Sequence, residues 1–251
     1  MARGESELPS DDQWLSAPEV ERAGTMRFTK PRTEYLLRRW ASKQAVAVVA
    51  GLPSEPASLA RIEITNRPSG APVVQVDGAP ADLEVSLTDR AGWAVCLVAP
   101  TGVGVGCDLE LVEPRSPGFV TDFLTAAEQR AVASRSGPDR DVLANLIWSA
   151  KESALKVLQT GLRRDTRSVE VSLGRPAGDP PDDAGAAGWA PLEVRTAEGH
   201  RMPGWWRRDG VFLVTVASGL PLAPPAPLPG SVDLRTARPV HSWLAQPLTS
   251  S

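Results

Sequence analysis

One long helical pattern constrains this chain more than any other feature of its sequence. From Asp141 to Gln159 apolar residues recur at intervals of three and four, which predicts an amphipathic helix, and Gly161 follows where a C-terminal cap is expected. On a second face Trp148, Glu152 and Lys156 follow one another at intervals of four residues. An exposed Glu–Lys pair at this spacing is common and stabilises a helix by only about 0.3 kcal/mol. The helix alone therefore predicts structure and no particular chemistry.

A second stretch, upstream of the helix, alternates in the manner of a β-strand. The odd-numbered positions are apolar, and the even-numbered positions, on the opposite face of the strand, are two glycines and two acids. The two sets are Val103, Val105, Cys107, Leu109 and Leu111, and Gly104, Gly106, Asp108 and Glu110. Glycine inside a strand is unfavourable unless another group approaches the backbone. The two carboxylates, about 6.6 Å apart along the strand, repel each other unless a cation lies between them. Their oxygens suit Mg²⁺, which binds a few carboxylates together with substrate phosphates. An edge strand with its acids in solvent is the alternative.

Charge and residue counts exclude several classes of function. The chain has 251 residues and a net charge of −3, so it lacks the basic surface typical of nucleic-acid binding. Its only histidines, His200 and His241, argue against a histidine-ligated zinc site or a Ser-His-Asp triad. Cys96 and Cys107 lie in apolar runs and are interpreted as core residues. No apolar stretch has the length of a membrane span and no signal peptide is evident, so we expect a cytoplasmic protein with no membrane partner.

The order of the predicted elements favours an α+β protein with two lobes. We expect residues 1–12 to be a disordered tail, residues 13–100 to form the first lobe, and residues 101–220 to form the second. The turn signal Pro100-Thr101-Gly102 lies between the lobes. Residues 221–251 are expected to be a proline-rich, disordered tail.

The remaining elements are short. Besides the long helix and the acidic strand, we predict helices over 31–49 and near 119–134, and strands over 60–65, 73–76, 83–87, 93–98, 168–173, 191–196 and 211–217. Residues 175–188 are rich in Gly, Pro, Ala and Asp and predict a mobile loop. For Trp243 and Leu244 in this tail, the alternative to disorder is that they pack against the folded body. No internal sequence repeat is evident.

The two long patterns together resemble a known family. Gly-Val-Gly-Cys-Asp-Leu-Glu (104–110), followed by Trp-Ser-Ala-Lys-Glu-Ser-Ala-Leu-Lys (148–156), is similar to the paired signature of the 4′-phosphopantetheinyl transferases of the monomeric, surfactin-synthetase-activating type. Phe-Leu-Thr-Ala-Ala-Glu (123–128) resembles the family's intervening segment. The resemblance runs from about Phe28 to Ser218. It implies a fold of two similar lobes related by a pseudo-twofold axis, each a small sheet packed with helices, and a monomer.

The resemblance also implies the chemistry of the second lobe. Asp108, Glu110 and Glu152 would hold Mg²⁺, or Mn²⁺, which binds the pyrophosphate of coenzyme A. Lys156 would neutralise the charge that develops on this pyrophosphate. Glu152 is also the nearest base for the hydroxyl group that attacks. Lys151 is implied as a further coenzyme A contact, with a solvated helix residue as the alternative.

The first lobe would bind the nucleotide of coenzyme A. The contacts that the resemblance implies there are Lys43, Arg39, Thr88, Asp89 and Arg90. Two positions depart clearly from the family pattern, since Asp89 stands where the family has a phosphate-contacting histidine and Arg38 stands where it has a glycine; Ala71 is a milder change. A carboxylate facing a phosphate repels it, so this contact is expected to be lost or remodelled. A solvated surface position is the alternative for the helix arginines.

Two functional hypotheses follow. The first is an enzyme that transfers the phosphopantetheine arm of coenzyme A to a serine of an acyl or peptidyl carrier protein, in fatty acid, polyketide or nonribosomal peptide assembly. The second is a weak or repurposed relative that binds coenzyme A, an acyl thioester or a carrier domain without transfer. The set formed by Asp108, Glu110 and Glu152 favours the first, and Asp89 favours the second.

Overall fold

The chain folds as a mixture of helices and antiparallel sheets, which confirms the predicted α+β class. The computed structural model describes residues 1–174 and 188–240. The chain divides into two compact units, of which the first comprises Met1–Thr101, Pro227–Asp233 and the residues from Ala237 onward. The second comprises Gly102–Ala226 and Leu234–Thr236.

The described residues contain six α-helices and eleven strands. The helices are α1 (Ala17–Gly24), α2 (Thr29–Ala50), α3 (Pro56–Ala60), α4 (Pro117–Phe123), α5 (Ala126–Ala133) and α6 (Gly137–Val157). The strands are β1 (Ala2–Gly4), β2 (Ile62–Asn66), β3 (Pro72–Val76), β4 (Ala79–Pro80), β5 (Leu83–Arg90), β6 (Trp93–Pro100), β7 (Val105–Leu111), β8 (Val169–Leu173), β9 (Ala190–Thr196), β10 (Arg201–Asp209) and β11 (Phe212–Ser218). Within the described ranges, no helix is long and apolar enough to cross a membrane.

The first unit is built around the long helix α2. It packs against β5 and β6, which form one sheet with β1, and against β2, which forms another with β3 and β4. The helix ends at Gly51, whose φ of 67° is left-handed and therefore favours glycine. Leu37 and Ala45 on the packed face are fully buried.

The N-terminus is ordered, contrary to the disorder expected for residues 1–12. Ala2 pairs with Val95, and the N-terminal ammonium group of Met1 donates a hydrogen bond of 2.9 Å to the carbonyl oxygen of Cys96. The polar composition of this segment predicted disorder. Composition does not reveal that the segment pairs with a strand edge 95 residues away along the chain. Strand β1 uses the unpaired edge of β6 to satisfy its backbone groups.

The second unit is a five-stranded antiparallel sheet with α6 on one face. The strand order is β7-β11-β10-β9-β8. The glycine face of β7 lies against α6, and a Cβ added at Gly106 would overlap the carbonyl oxygen of Ser153. The group that approaches this glycine is therefore the helix of the same unit. The opposite, apolar face is buried as predicted, with Cys107 and Leu109 at the sheet core.

Two local features of this unit differ from the predictions. Strand β10 was missed, because Pro203 and Gly204 interrupt its pattern and read as a loop. The single helix expected near 119–134 is two helices, since the backbone of Leu124 is extended and Thr125 caps the N-terminus of α5 by accepting a hydrogen bond from Glu128.

The described part of the proline-rich tail is ordered, and Pro227–Asp233 and residues 237–240 belong to the first unit. The amide of Val232 donates to the carbonyl oxygen of Ala2 at 3.1 Å, and the amide of Val240 donates to that of Ala91 at 2.8 Å. The predicted docking residues Trp243 and Leu244 lie outside the described residues, as does the predicted mobile loop up to residue 187.

Candidate functional site

Asp108 lies where β7 meets α6, and both of its carboxylate oxygens accept hydrogen bonds from the helix. The Ser149 hydroxyl donates to Oδ2 at 2.9 Å and the Lys156 ammonium group donates to Oδ1 at 3.0 Å. Lys156 also donates to the carbonyl oxygen of Cys107 at 2.7 Å. Only 6% of Asp108 is exposed, so the alternative of an acid in open solvent is wrong for this residue.

A chain of buried hydroxyl groups lies beneath Asp108. The hydroxyl oxygen of Thr215 is 2.9 Å from that of Ser149 and 2.8 Å from that of Ser153, and all three side chains are fully buried. Because Ser149 donates to Asp108, Thr215 is free to donate to Ser149 in turn. The hydroxyl chain thus orients a proton toward the carboxylate and holds it in place.

Glu110 is bound by two other donors. The indole N–H of Trp148 donates to Oε1 at 2.9 Å, and Nη2 of Arg115 donates to Oε2 at 3.1 Å. The Trp148 ring is packed edge-on against Phe119 and Phe123, with centroid separations of 5.1 and 5.0 Å. The phenylalanines therefore have a packing role that orients a residue of the site.

Glu152 of α6 is the third acid of the site, and the charges of Asp108 and Glu110 both act on it. Burial, followed by the negative charges of Asp108 and Glu110, raises the pKa of Glu152 to about 7, although Lys156 opposes this. Its Oε1 is buried and has no hydrogen-bond partner among the described residues. A buried carboxylate oxygen without a donor is costly, and the charges of Asp108 and Glu110 add to this cost.

Lys156 is a cation beside the three acids Asp108, Glu110 and Glu152, which together are called the acidic face below. Burial disfavours its charge, but the attraction and hydrogen bond of Asp108, together with Cys107 and Glu152, outweigh burial and raise the pKa of Lys156. The amine is therefore charged at neutral pH. It is placed one helical turn after Glu152, as the i, i+4 spacing predicted.

The donor set suits a hard divalent cation, although the side chains do not form a ready-made cage. The charges of Asp108 and Glu110 contribute to the raised pKa of Glu152, one buried oxygen of which is without a donor, and this is the environment that Mg²⁺ relieves. Among the described residues, however, no group of three or more His, Cys, Asp and Glu side chains is arranged to hold a metal ion. Asp108 and Glu110 are instead each bound to a cationic side chain, Lys156 and Arg115.

Lys43, an implied coenzyme A contact, is fully buried. Its ammonium group lies 2.5 Å from the Glu19 carboxylate and donates to the carbonyl oxygens of Trp14, Leu59 and Ile62. Burial lowers the pKa of Lys43, and Glu19 counters this effect. The lysine thus joins α2 to neighbouring backbone.

Arg39 is buried on the same helix, at 6% exposure. Its guanidinium group donates to Asn66 at 3.1 Å, lies 3.6 Å from Glu19, and stacks over the ring of Tyr35. The alternative of a solvated surface position is therefore wrong for Arg39.

Lys151 repeats the arrangement of Lys43 in the second unit, so the alternative of a solvated helix residue is wrong. It is fully buried, lies 2.8 Å from Glu128, and donates to the carbonyl oxygens of Thr166 and Val169. Glu128 and Glu19 are both third helical residues that accept a hydrogen bond from the N-cap amide, of Thr125 and Ser16 respectively. The two units thus share one buried Glu–Lys arrangement.

This shared arrangement has a faint trace in the sequence. Trp-Ala-Ser-Lys (40–43) in α2 corresponds to Trp-Ser-Ala-Lys (148–151) in α6. In this alignment Gln44 occupies the position of Glu152, and Val48 the position of Lys156. The chemistry-bearing residues of α6 therefore have uncharged counterparts in α2.

The two departures in the first unit contact each other. Arg38 of α2 donates to Asp89 of β5 in an ion pair that is partly shielded from solvent. Burial and the charge of Asp89 raise the pKa of the nearby Glu34, and the charges of Lys30, Arg38 and Arg90 oppose this. Thr88 is buried. Asp89 is therefore balanced by a cation that stands where the resemblance has glycine.

Three residues of the site were not identified from sequence: Ser149, Arg115 and Thr215. Ser149 had a usable signal, since it lies three residues before Glu152 and hence on the same side of the helix. Arg115 had a weaker one, its position five residues after Glu110. Thr215 had none, because it reaches Ser149 through pairing of β11 with β7.

Comparison with known proteins agrees with the chemistry of this face. Residues 104–188 match the family model of the 4′-phosphopantetheinyl transferase superfamily. The matched range contains the acidic strand and the whole of Trp148–Lys156, and it supports phosphopantetheinyl transfer in general, with coenzyme A and a carrier protein as the partner classes. A comparison with curated proteins gave no match.

Proposed function

We propose that this protein transfers the 4′-phosphopantetheine arm of coenzyme A to a serine of an acyl or peptidyl carrier protein and releases 3′,5′-ADP. The observation that carries the proposal is the convergence of Asp108, Glu110, Glu152 and Lys156 on one face, inside the range that matches the family model. We further propose that the chain acts as a cytoplasmic monomer.

Asp108, Glu110 and Glu152 would hold Mg²⁺, with Mn²⁺ as a substitute of similar preference for oxygen. When bound, the ion neutralises the pyrophosphate and so stabilises the charge of the leaving group. Ser149 and Lys156 keep Asp108 oriented toward this position, and Trp148 does the same for Glu110. Lys156 supplies a fixed positive charge beside the phosphates.

Glu152 is the group that can move a proton. It is the nearest candidate to accept the proton of the attacking serine hydroxyl. The serine oxygen forms the new bond to the β-phosphorus, the bond from this phosphorus to the bridging oxygen breaks, and the electron pair leaves with 3′,5′-ADP.

The test is a mass measurement on the carrier. The protein is incubated with coenzyme A, Mg²⁺ and an apo-carrier protein, and the carrier is expected to gain one phosphopantetheine arm. Glu152→Gln is expected to abolish the gain, whereas Glu198→Gln, which alters an exposed ion pair with Arg164, is expected to retain it. No gain across acyl and peptidyl carriers would contradict the proposal.

A second function is favoured by the first unit. Lys43 and Arg39 are buried and Asp89 is paired with Arg38, so several contacts expected for the nucleotide are altered. These observations suit a protein that binds coenzyme A, an acyl thioester or a carrier domain without transfer. Calorimetric binding of coenzyme A combined with no mass gain on any carrier would favour this second function.

A further inference from the structure

Arg115 is a second positively charged side chain beside the acidic face, after Lys156. Its Nη2 atom lies 3.1 Å from Oε2 of Glu110, and its side chain is 15% exposed. Lys156 plays the same role for Asp108 at 3.0 Å. Three carboxylates and two cations therefore leave one net negative charge on this face when all three acids are ionised.

The position of Arg115 is fixed by groups that do not take part in the acidic face. Its Nε atom donates to Oδ1 of Asn145 at 2.6 Å, and its guanidinium carbon lies 4.6 Å from the centre of the Phe119 ring. Asn145 is fully buried, and its amide nitrogen donates to the carbonyl oxygens of Glu113 and Asp141 at 2.7 and 2.8 Å. Because both amide donors are used, the oxygen of Asn145 is turned to Arg115.

The remaining contact of Arg115 does not cancel its charge. Nη1 lies 3.4 Å from a carboxylate oxygen of Glu113, whose side chain is 39% exposed and therefore screened by water. Glu110, at 13% exposure, is the better-shielded partner. The charge of Arg115 consequently acts mainly on the acidic face.

We propose that Arg115 is a positioning residue that selects the order of binding: it weakens the affinity for Mg²⁺ alone and strengthens the affinity of the Mg²⁺-loaded face for a phosphate anion. The proposal rests on the proposed function. With Arg115 present, one Mg²⁺ converts the face from one net negative charge to one net positive charge. Without Arg115, the same ion only brings the face to neutrality, so the bare face attracts Mg²⁺ more strongly and the loaded face attracts an anion less.

Calorimetry on Arg115→Gln at pH 8 separates the two effects. Mg²⁺ alone is expected to bind this variant about threefold to tenfold more tightly than wild type, because a nearby unit charge repels a divalent ion by about this factor in a largely aqueous dielectric. Coenzyme A titrated at saturating Mg²⁺ is expected to bind about threefold to tenfold more weakly. Arg115→Lys keeps the charge and is expected to stay within about twofold of wild type for both ligands.

Arg61→Gln is the matched control, since it removes one positive charge from an exposed ion pair with Asp77 in the first unit. It is expected to change neither affinity. Opposite shifts for the two ligands would not arise from a purely structural role, which would weaken both. Equal shifts, or unchanged affinities in Arg115→Gln, would overturn the inference.

The outcomes also separate this inference from the proposed function. If wild type binds neither Mg²⁺ nor coenzyme A, the proposed function fails and the inference with it. If wild type binds both and Arg115→Gln binds both equally well, only the inference fails. Should Arg115→Gln not fold, a Mg²⁺ affinity of Arg115→Lys that departs by more than about threefold would contradict the role of charge.

Discussion

Replacing Glu152 with Gln is expected to stabilise the protein at alkaline pH in the absence of divalent cations. The folded protein raises the pKa of Glu152 from 4.5 to about 7, through burial and then the charge of Asp108. An acid whose pKa is higher in the folded state than in the unfolded state contributes stability below the unfolded pKa and loses it as pH rises through the folded pKa. The ionised Glu152 therefore destabilises the protein above about pH 7.

The magnitude follows from the size of the shift. A change from 4.5 to about 7 corresponds to about 3 kcal/mol, and partial exposure of Glu152 reduces this to about 1–2 kcal/mol after screening by water. For a chain of this size, the melting temperature of Glu152→Gln at pH 8 should exceed that of wild type by about 3–6 °C. At pH 5 the difference should be much smaller.

The assay is thermal unfolding with a chelator at pH 5 and pH 8, for wild type, Glu152→Gln and Glu198→Gln. The pKa of Glu198 is lowered to about 2 by its hydrogen bond with Arg164, so Glu198→Gln should give no gain at pH 8. Addition of Mg²⁺ should raise the melting temperature of wild type more than that of Glu152→Gln. A melting temperature of Glu152→Gln that is not above wild type at pH 8, or a gain that is equal at both pH values, would refute the reasoning.

Three other predictions concern folding and the first unit. Gly106→Ala should destabilise the protein by about 3 kcal/mol or more in urea unfolding, because the new methyl group would overlap the carbonyl oxygen of Ser153; a loss below about 1 kcal/mol would contradict the close approach of α6. Lys151→Met should lower the free energy of unfolding by about 3–5 kcal/mol, because it leaves Glu128 buried without its cation. Adding Glu128→Gln to this variant should recover part of the loss. If the effects of the two single substitutions simply add, this reasoning is wrong. Asp89→Asn should release Arg38 and tighten coenzyme A binding measured by calorimetry, whereas the same change combined with Arg38→Gln should not; equal affinities of wild type and Asp89→Asn would place Asp89 outside the phosphate contact.

Local pattern was a good guide wherever a single element decides the outcome. The two-residue period of β7 put Asp108 and Glu110 on one face, and the helical period of α6 put Glu152 and Lys156 on one face. These periods come from backbone geometry, which neighbouring residues largely determine. The α+β class could be predicted for the same reason.

Burial of charge could not be predicted in this way. Lys43 and Lys151 look like surface residues in sequence, since lysine is rarely buried without a partner. Their partners Glu19 and Glu128 lie more than twenty residues away, and become partners only when α1 and α5 pack against the long helices. The pairing of Arg38 with Asp89, across 51 positions, has the same origin.

The acidic face shows which features follow from the sequence and which follow from tertiary packing. The residue types and their spacing predicted three carboxylates and an amine as a site for a divalent cation and a phosphate, because ligand chemistry and backbone period are local properties. Packing of α6 on β7 and β11 established that Ser149 and Lys156 bind Asp108, that Trp148 and Arg115 bind Glu110, and that Glu152 is left with a buried oxygen and a raised pKa. Electrostatic free energies depend on distance and dielectric, and folding brings these groups from distant parts of the chain into contact.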